Sequence, residues 1–136
     1  DDGVRLFING QQIIDSFINQ AATERTGTIN LVAGQRYDIR MEYFENGGGA
    51  SARLAWSGPG ITKQIVPQSQ LFSSTAPPPP PPPAGTGNGL RGEYFDNIDF
   101  TNLRVTRTDA TVNFNWGTGS PSPDIAADTF SVRWAG

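Results

Sequence analysis

Cysteine and histidine are both absent from this 136-residue sequence, and lysine occurs once, at Lys63. Without cysteine there is no disulfide, no thiolate metal ligand and no cysteine nucleophile. Without histidine the usual general base, a Ser-His-Asp triad and a typical zinc site disappear together. The net charge is −3 and the arginines are scattered, so no basic patch replaces phosphate counterions and nucleic acid is excluded as a partner. No run approaches the roughly 20 apolar residues of a membrane span. No window carries a convincing helical period either, which removes bundles and coiled coils.

What is present is a period of two. Tyr37, Ile39, Met41 and Tyr43 alternate with Arg36, Asp38, Arg40 and Glu42. Ala52, Leu54 and Trp56 alternate with Ser51, Arg53 and Ala55; Val112, Phe114 and Trp116 with Asn113 and Asn115; Phe130, Val132 and Trp134 with Ser131 and Arg133. Such alternation puts one set of side chains inward and the other in water, as half-buried antiparallel strands require. Trp56, Trp116 and Trp134 fall on the apolar phase, which places them in the core. Asn9-Gly10 lies between Val4–Ile8 and Gln11–Ile14 and predicts a tight hairpin. Turn signals at Ala33-Gly34, Asn46 to Gly49 and Ser57 to Gly60 complete the pattern of an all-β sandwich or barrel.

Seven consecutive prolines, Pro77 to Pro83, divide the chain. The natural parts are 1–72, a Pro-rich linker over 73–88, and 89–136. The prolines cannot donate hydrogen bonds and are expected to form a polyproline II rod, about 3.1 Å per residue and roughly 20 Å long. Either the rod is an inert spacer or it is a docking element, with Ser73, Ser74 and Thr75 as candidate O-glycan carriers. No Asn-x-Ser/Thr sequon occurs, so a glycan would be O-linked.

The ordered motifs resemble a PA14 domain, a β-sandwich module found in bacterial toxins, glycosidases, adhesins and yeast flocculins. One end of the resemblance is Gly89-Leu90-Arg91-Gly92-Glu93-Tyr94-Phe95-Asp96-Asn97, Arg107-Thr108-Asp109, Val112 to Trp116 and Phe130 to Gly136. The other is Asp1-Asp2-Gly3-Val4-Arg5-Leu6, Asn9-Gly10, Ile14-Asp15, Leu31 to Tyr37, Glu42 to Gly48 and Leu54-Ala55-Trp56. In the family the second group normally follows the first. The resemblance therefore implies an antiparallel sandwich that is circularly permuted or shared between successive repeats, with 1–72 the back of one domain and 89–136 the front of the next. It also implies that the strand joining the Trp134-Ala135-Gly136 region to Asp1-Asp2 is missing, which leaves a groove and unpaired edges.

The same resemblance points to a site. In PA14 lectins the matching Asp-Asp pair is joined by a cis peptide and binds calcium, which holds sugar hydroxyls; here that implies Asp1, Asp2, Glu45, Asn46 and Gly47 around a calcium ion. Asp1, Asp2 and Asn46 would then face a carbohydrate. Hard oxygen donors suit calcium, and the alternative is a plain turn in which the aspartates satisfy backbone amides. Two functions follow as expectations. The first is a non-catalytic repeat of an extracellular fibre or surface array, with neighbouring copies of the same protein as partners. The second is a calcium-dependent lectin or adhesin module binding glycans. No deep cleft of paired acids is legible, so an enzyme is not expected.

Overall fold

The computed structural model describes residues 1–73 and 85–136. It is all-β and antiparallel, as the alternation requires, with one 3-10 turn at Gln68–Gln70 among the described residues. The strands are β1 (Gly3–Ile8), β2 (Gln11–Ser16), β3 (Ile39–Glu45), β4 (Ala50–Arg53), β5 (Ala55–Gly58), β6 (Ile61–Ile65), β7 (Leu90–Phe95), β8 (Leu103–Asp109), β9 (Asn113–Gly117) and β10 (Phe130–Ala135). The β1–β2 hairpin closes at Asn9-Gly10 with φ of 51° and 75°. Two left-handed residues in succession match the strand twist, which is why this dipeptide predicts the turn.

One layer is a six-stranded sheet in the order β2-β1-β3-β10-β7-β8. The facing layer consists of the pairs β4-β9 and β5-β6. Backbone bonds from Leu54 to Val112 (2.9 Å) and from Val66 to Leu54 (3.0 Å) tie the two pairs together. The alternation over Ala52, Leu54 and Trp56 reads as one strand. The chain instead breaks at Leu54 into β4 and β5, because Leu54 turns its backbone to partners outside either strand.

The β10 strand decides how the halves meet. Val132 pairs with Tyr43 of β3 on one side and with Tyr94 of β7 on the other. The segments before and after the prolines thus share one sheet within a single chain. No neighbouring copy is needed to join them.

Trp134, Tyr94, Val132, Phe130 and Tyr43 supply the core from the large sheet, all 2% exposed or less. Val112, Ala50, Ala52 and Leu54 face them. The Phe114 ring stacks on Trp116 (5.0 Å, 5°) and Trp134 (5.8 Å, 10°). Trp134 is fully buried, while Trp56 and Trp116 pack against the core only in part. Aromatic pairs of this kind add about 0.5–1.5 kcal/mol each beyond their buried area.

The outer face of the large sheet carries a line of alternating charge. Asp15 on β2 opposes Arg5 on β1, which opposes Glu42 on β3, Arg133 on β10 and Glu93 on β7 in turn. Each junction is an ion pair of 3.6 Å or less. Beside this line Phe17, Phe44, Phe95 and Phe100 form an aromatic cluster, edge-to-face at Phe17–Phe44 and Phe95–Phe100 and stacked at Phe17–Phe100, with Arg5 lying 3.9 Å over Phe17. Both faces of β3 are therefore covered.

The linker ends are pinned. Ser73 donates its amide to the Asn88 side-chain oxygen (2.9 Å), and its hydroxyl accepts from the Asn88 side-chain nitrogen (2.8 Å). Ser74, Thr75 and the expected proline rod lie outside the described residues.

Candidate functional site

The pairing of Gly3 with Phe44 and of Phe130 with Glu45 brings the start of β1 and the end of β3 to one corner of the sheet. Asp1, Asp2, Glu45, Asn46 and Gly47 gather there, the five residues singled out from the sequence. Asp2 has φ 51°, and its residue is only 7% exposed. Its carboxylate accepts from the amide of Gln20 through Oδ1 (3.0 Å) and from the amide of Asn46 through Oδ2 (2.7 Å). Its own amide donates to the Gln20 carbonyl (2.9 Å). Gln20 answers with a side-chain bond to the Asp2 carbonyl (2.8 Å). Asp2 is thus the clasp that fastens residues 20 and 46 to the start of β1, a use of aspartate common in turns.

Glu45 has no exposed surface. It accepts from the Gly47 amide (2.7 Å) and from the Tyr43 hydroxyl (3.2 Å). Burial, and then the charge of Asp2, push its carboxyl above the usual range. Burial and the charge of Glu45 raise the Tyr43 phenol, which stays protonated and able to donate. Asp128 closes the loop from the opposite side by accepting from the Gly48 amide (3.3 Å).

One expectation about this corner is revised. The Asp1–Asp2 peptide is trans, and the backbone turns through the left-handed φ of Asp2 instead. The Asp2 carboxylate points at the backbone amides of Gln20 and Asn46. Among the described residues no three acidic, histidine or cysteine side chains converge as a ready-made metal cluster.

Sequence reasoning passed over Gln20, Tyr43 and Asp128, which complete the corner from distant parts of the chain. It also passed over a further buried carboxylate, away from this corner. Asp109 accepts from Trp134 Nε1 (2.8 Å), from Arg107 Nε (2.8 Å) and from the Tyr94 hydroxyl. The available signal was the Arg107-Thr108-Asp109 spacing, which puts both charges on one face of a strand.

A groove of about 2180 Å³ opens between the inner side of β1–β2 and the β5–β6 pair. Leu6, Ile14, Leu54 and Trp56 line its floor, and residues 22–29 and Leu31 form one wall.

The PA14 domain family model matches residues 1–70 and 87–136. The anti-sigma-I factor RsgI3 of Acetivibrio thermocellus is 43% identical over all 136 residues, which make up 20% of its length. A solved anti-sigma factor domain-containing protein is 42% identical, with TM-score 0.55, covering 98% of this chain and 44% of its own. Another, from Clostridium clariflavum, is 42% identical with TM-score 0.53, covering 100% of this chain and 46% of its own. The chain thus spans about a fifth of the curated relative and under half of each solved chain.

These relatives overturn both functional expectations. Proteins named as anti-sigma factors point to regulation, so the fibre repeat, with neighbouring copies as partners, and the alternative glycan-binding lectin or adhesin are both corrected. The within-chain closure of the sheet by β10 gives the physical reason that strand sharing between copies is unnecessary. The matched residues cover both sides of the linker and all ten strands, and the chain belongs to the PA14 domain family.

Proposed function

We propose that this chain is a non-catalytic regulatory module of an anti-sigma-type protein, lying on the outer side of the cell envelope, whose partner through the wider protein is a sigma factor. The observation that carries the reading is 43% identity, without loss of either half, to a protein named anti-sigma-I factor. The chemistry of the chain supports a module that transmits state rather than turning over substrate. Its buried carboxylates at Asp2, Glu45 and Asp109 are engaged by structural donors. A protein carrying this region, assayed beside one with the region deleted, tests it through a reporter driven by the cognate sigma factor. The expected result is a changed response to the inducing condition with sigma binding retained. Identical reporter curves for both forms would sink the reading.

A calcium ion at Asp1, Asp2, Glu45, Asn46 and Gly47 is a second reading, favoured by one observation. Two buried acids lie side by side, and their mutual repulsion helps raise Glu45. A hard divalent cation relieves that repulsion and matches oxygen donors. Calcium is then expected to raise the melting temperature and a chelator to lower it. Superimposable melts would remove the ion.

A further inference from the structure

We propose that residues 21–35 are a strap along the inner groove, latched to the facing layer by the ion pair Glu24–Lys63, so that ionic strength sets how far the groove opens. The strap differs from the strands around it. It belongs to no regular element, and every residue in it except Ile29 is exposed. Its one backbone–backbone hydrogen bond among the described residues is internal, from Gln35 to Val32 (3.2 Å). A segment with so few backbone bonds and so little buried surface opens at far lower cost than the sheet beside it.

The roots of the strap are fixed. On one side Gln20 donates its amide to the Asp2 carboxylate (3.0 Å) and its side chain to the Asp2 carbonyl (2.8 Å). On the other, the Asp38 carbonyl accepts from the Asn9 amide (2.8 Å), and Arg36 lies 3.9 Å over the Phe72 ring. Gly27 rests directly on β2, where an added Cβ would sit 2.3 Å from the Ile13 carbonyl oxygen. That contact leaves no slack toward β2, so the strap can swing only outward, between two anchored ends.

The latch is a single contact. Glu24 and Lys63 both line the groove, Lys63 from β6 of the facing layer. Among the described residues each is the other's only ion-pair partner. No other hydrogen bond or ion pair there ties 21–35 to any residue outside 20–37. The other cations nearby do not compete for Glu24: Arg25 donates to Gln20 (2.6 Å) and Arg36 is stacked on Phe72. Both partners of the latch are 60% exposed, and a pair so placed is weak and screened by salt. Behind it the lining is apolar, with Leu6, Ile8, Ile14 and Leu54, of which Leu54 is only 7% exposed. Release of one exposed contact thus opens a surface that the closed form covers. The device lies within this chain and does not depend on a sigma factor as partner.

Because cysteine is absent, one introduced thiol reports on one position. Leu54→Cys marks the groove lining, Ile14→Cys repeats the measurement should that variant not fold, and Thr118→Cys at an exposed turn is the reference. The readout is the rate of reaction with a water-soluble aromatic disulfide at low salt and in about 1 M salt. Relative to the reference, the groove thiol is expected to react about two- to five-fold faster in high salt. Lys63→Gln should give the same gain at low salt and abolish the salt response. Combining Glu24→Lys with Lys63→Glu should restore both the slow rate and the salt response, since neither side chain has a second ion-pair partner. A rate indifferent to salt and to Lys63→Gln would overturn the latch. A gain that the reversed pair fails to restore would assign the effect to Lys63 alone, with the same consequence. A melting temperature that falls in step with the rate would assign the reactivity to global unfolding and also overturn it.

Discussion

The carboxylate of Asp109 receives the indole of Trp134, the guanidinium of Arg107 and the hydroxyl of Tyr94, while that hydroxyl accepts a further bond from Arg107 (2.7 Å). Burial first, and then the bond to Asp109, hold the Tyr94 phenol in its protonated form. Gly92 makes the room: a Cβ there would sit 2.6 Å from Asp109 Oδ2 and 2.9 Å from the Tyr94 ring. Asp109→Ala takes the acceptor from the buried Trp134 indole and Tyr94 hydroxyl and the partner from the partly exposed Arg107, and is expected to cost about 2–4 kcal/mol in urea unfolding. Asp124→Ala at an exposed loop position should stay within about 0.5 kcal/mol of wild type. Equal unfolding midpoints for the two variants would remove the organising role of Asp109. Glu45 gives a prediction in pH. Its folded-state pKa is raised, so the native state holds a proton that the unfolded chain has already lost. Its contribution therefore falls as pH rises from the ordinary carboxylate range through the raised value, and is recovered on acidification. Glu45→Gln should flatten that part of the stability profile while leaving the acid-unfolding limb in place. An unchanged slope in the variant would show that another group sets it.

At the level of strands, the charged line from Asp15 to Glu93 fixes register, because a slip of one residue between β1, β3 and β10 would replace every opposite-sign pair. Glu42 sits in the middle and meets Arg5, Arg40 and Arg133 at 3.5–3.6 Å. The arginines are 33–48% exposed, so each contact is weak, and Glu42→Gln is expected to cost about 1–2 kcal/mol in all. The loss should shrink in 1 M salt, where the Debye length is about 3 Å. Swapping the pair by combining Arg5→Glu with Glu42→Arg should not restore stability, since the new acid would face Asp15 and the new guanidinium Arg133. Full rescue by the swap would contradict the register argument. The strands were legible for the same reason that the line exists: alternation is a local property, visible at Tyr37–Tyr43 and Phe130–Trp134 without knowledge of partners. What stayed illegible is non-local. That Leu54 would break its strand depends on Val112 and Val66. Gln20 reaches Asp2 across 18 positions and Asp128 reaches Gly48 across 80. The loop residues Asp1, Asp2, Glu45, Asn46 and Gly47 were found through resemblance. The inward turn of the Asp2 carboxylate could come only from seeing which amides surround it.

For the molecule as a whole, the sheet order β2-β1-β3-β10-β7-β8 means that residues on opposite sides of the proline segment are held by the β3–β10 ladder and by a common core. Cutting the chain once between 74 and 84 is therefore expected to leave both pieces in a single size-exclusion peak under native conditions. Separate elution of 1–73 and 85–136 would show that the ladder is too weak to hold them. The bonds between Ser73 and Asn88 carry a last consequence. Because departure and return are fixed to one another, the ten strands do not register how many residues lie in between, and doubling that number adds only about 0.6 kcal/mol of closure entropy. Repetitive codons are prone to gain or loss when DNA is copied. Such slippage here would change the tract's length in descendants while leaving the β-structure indifferent to it.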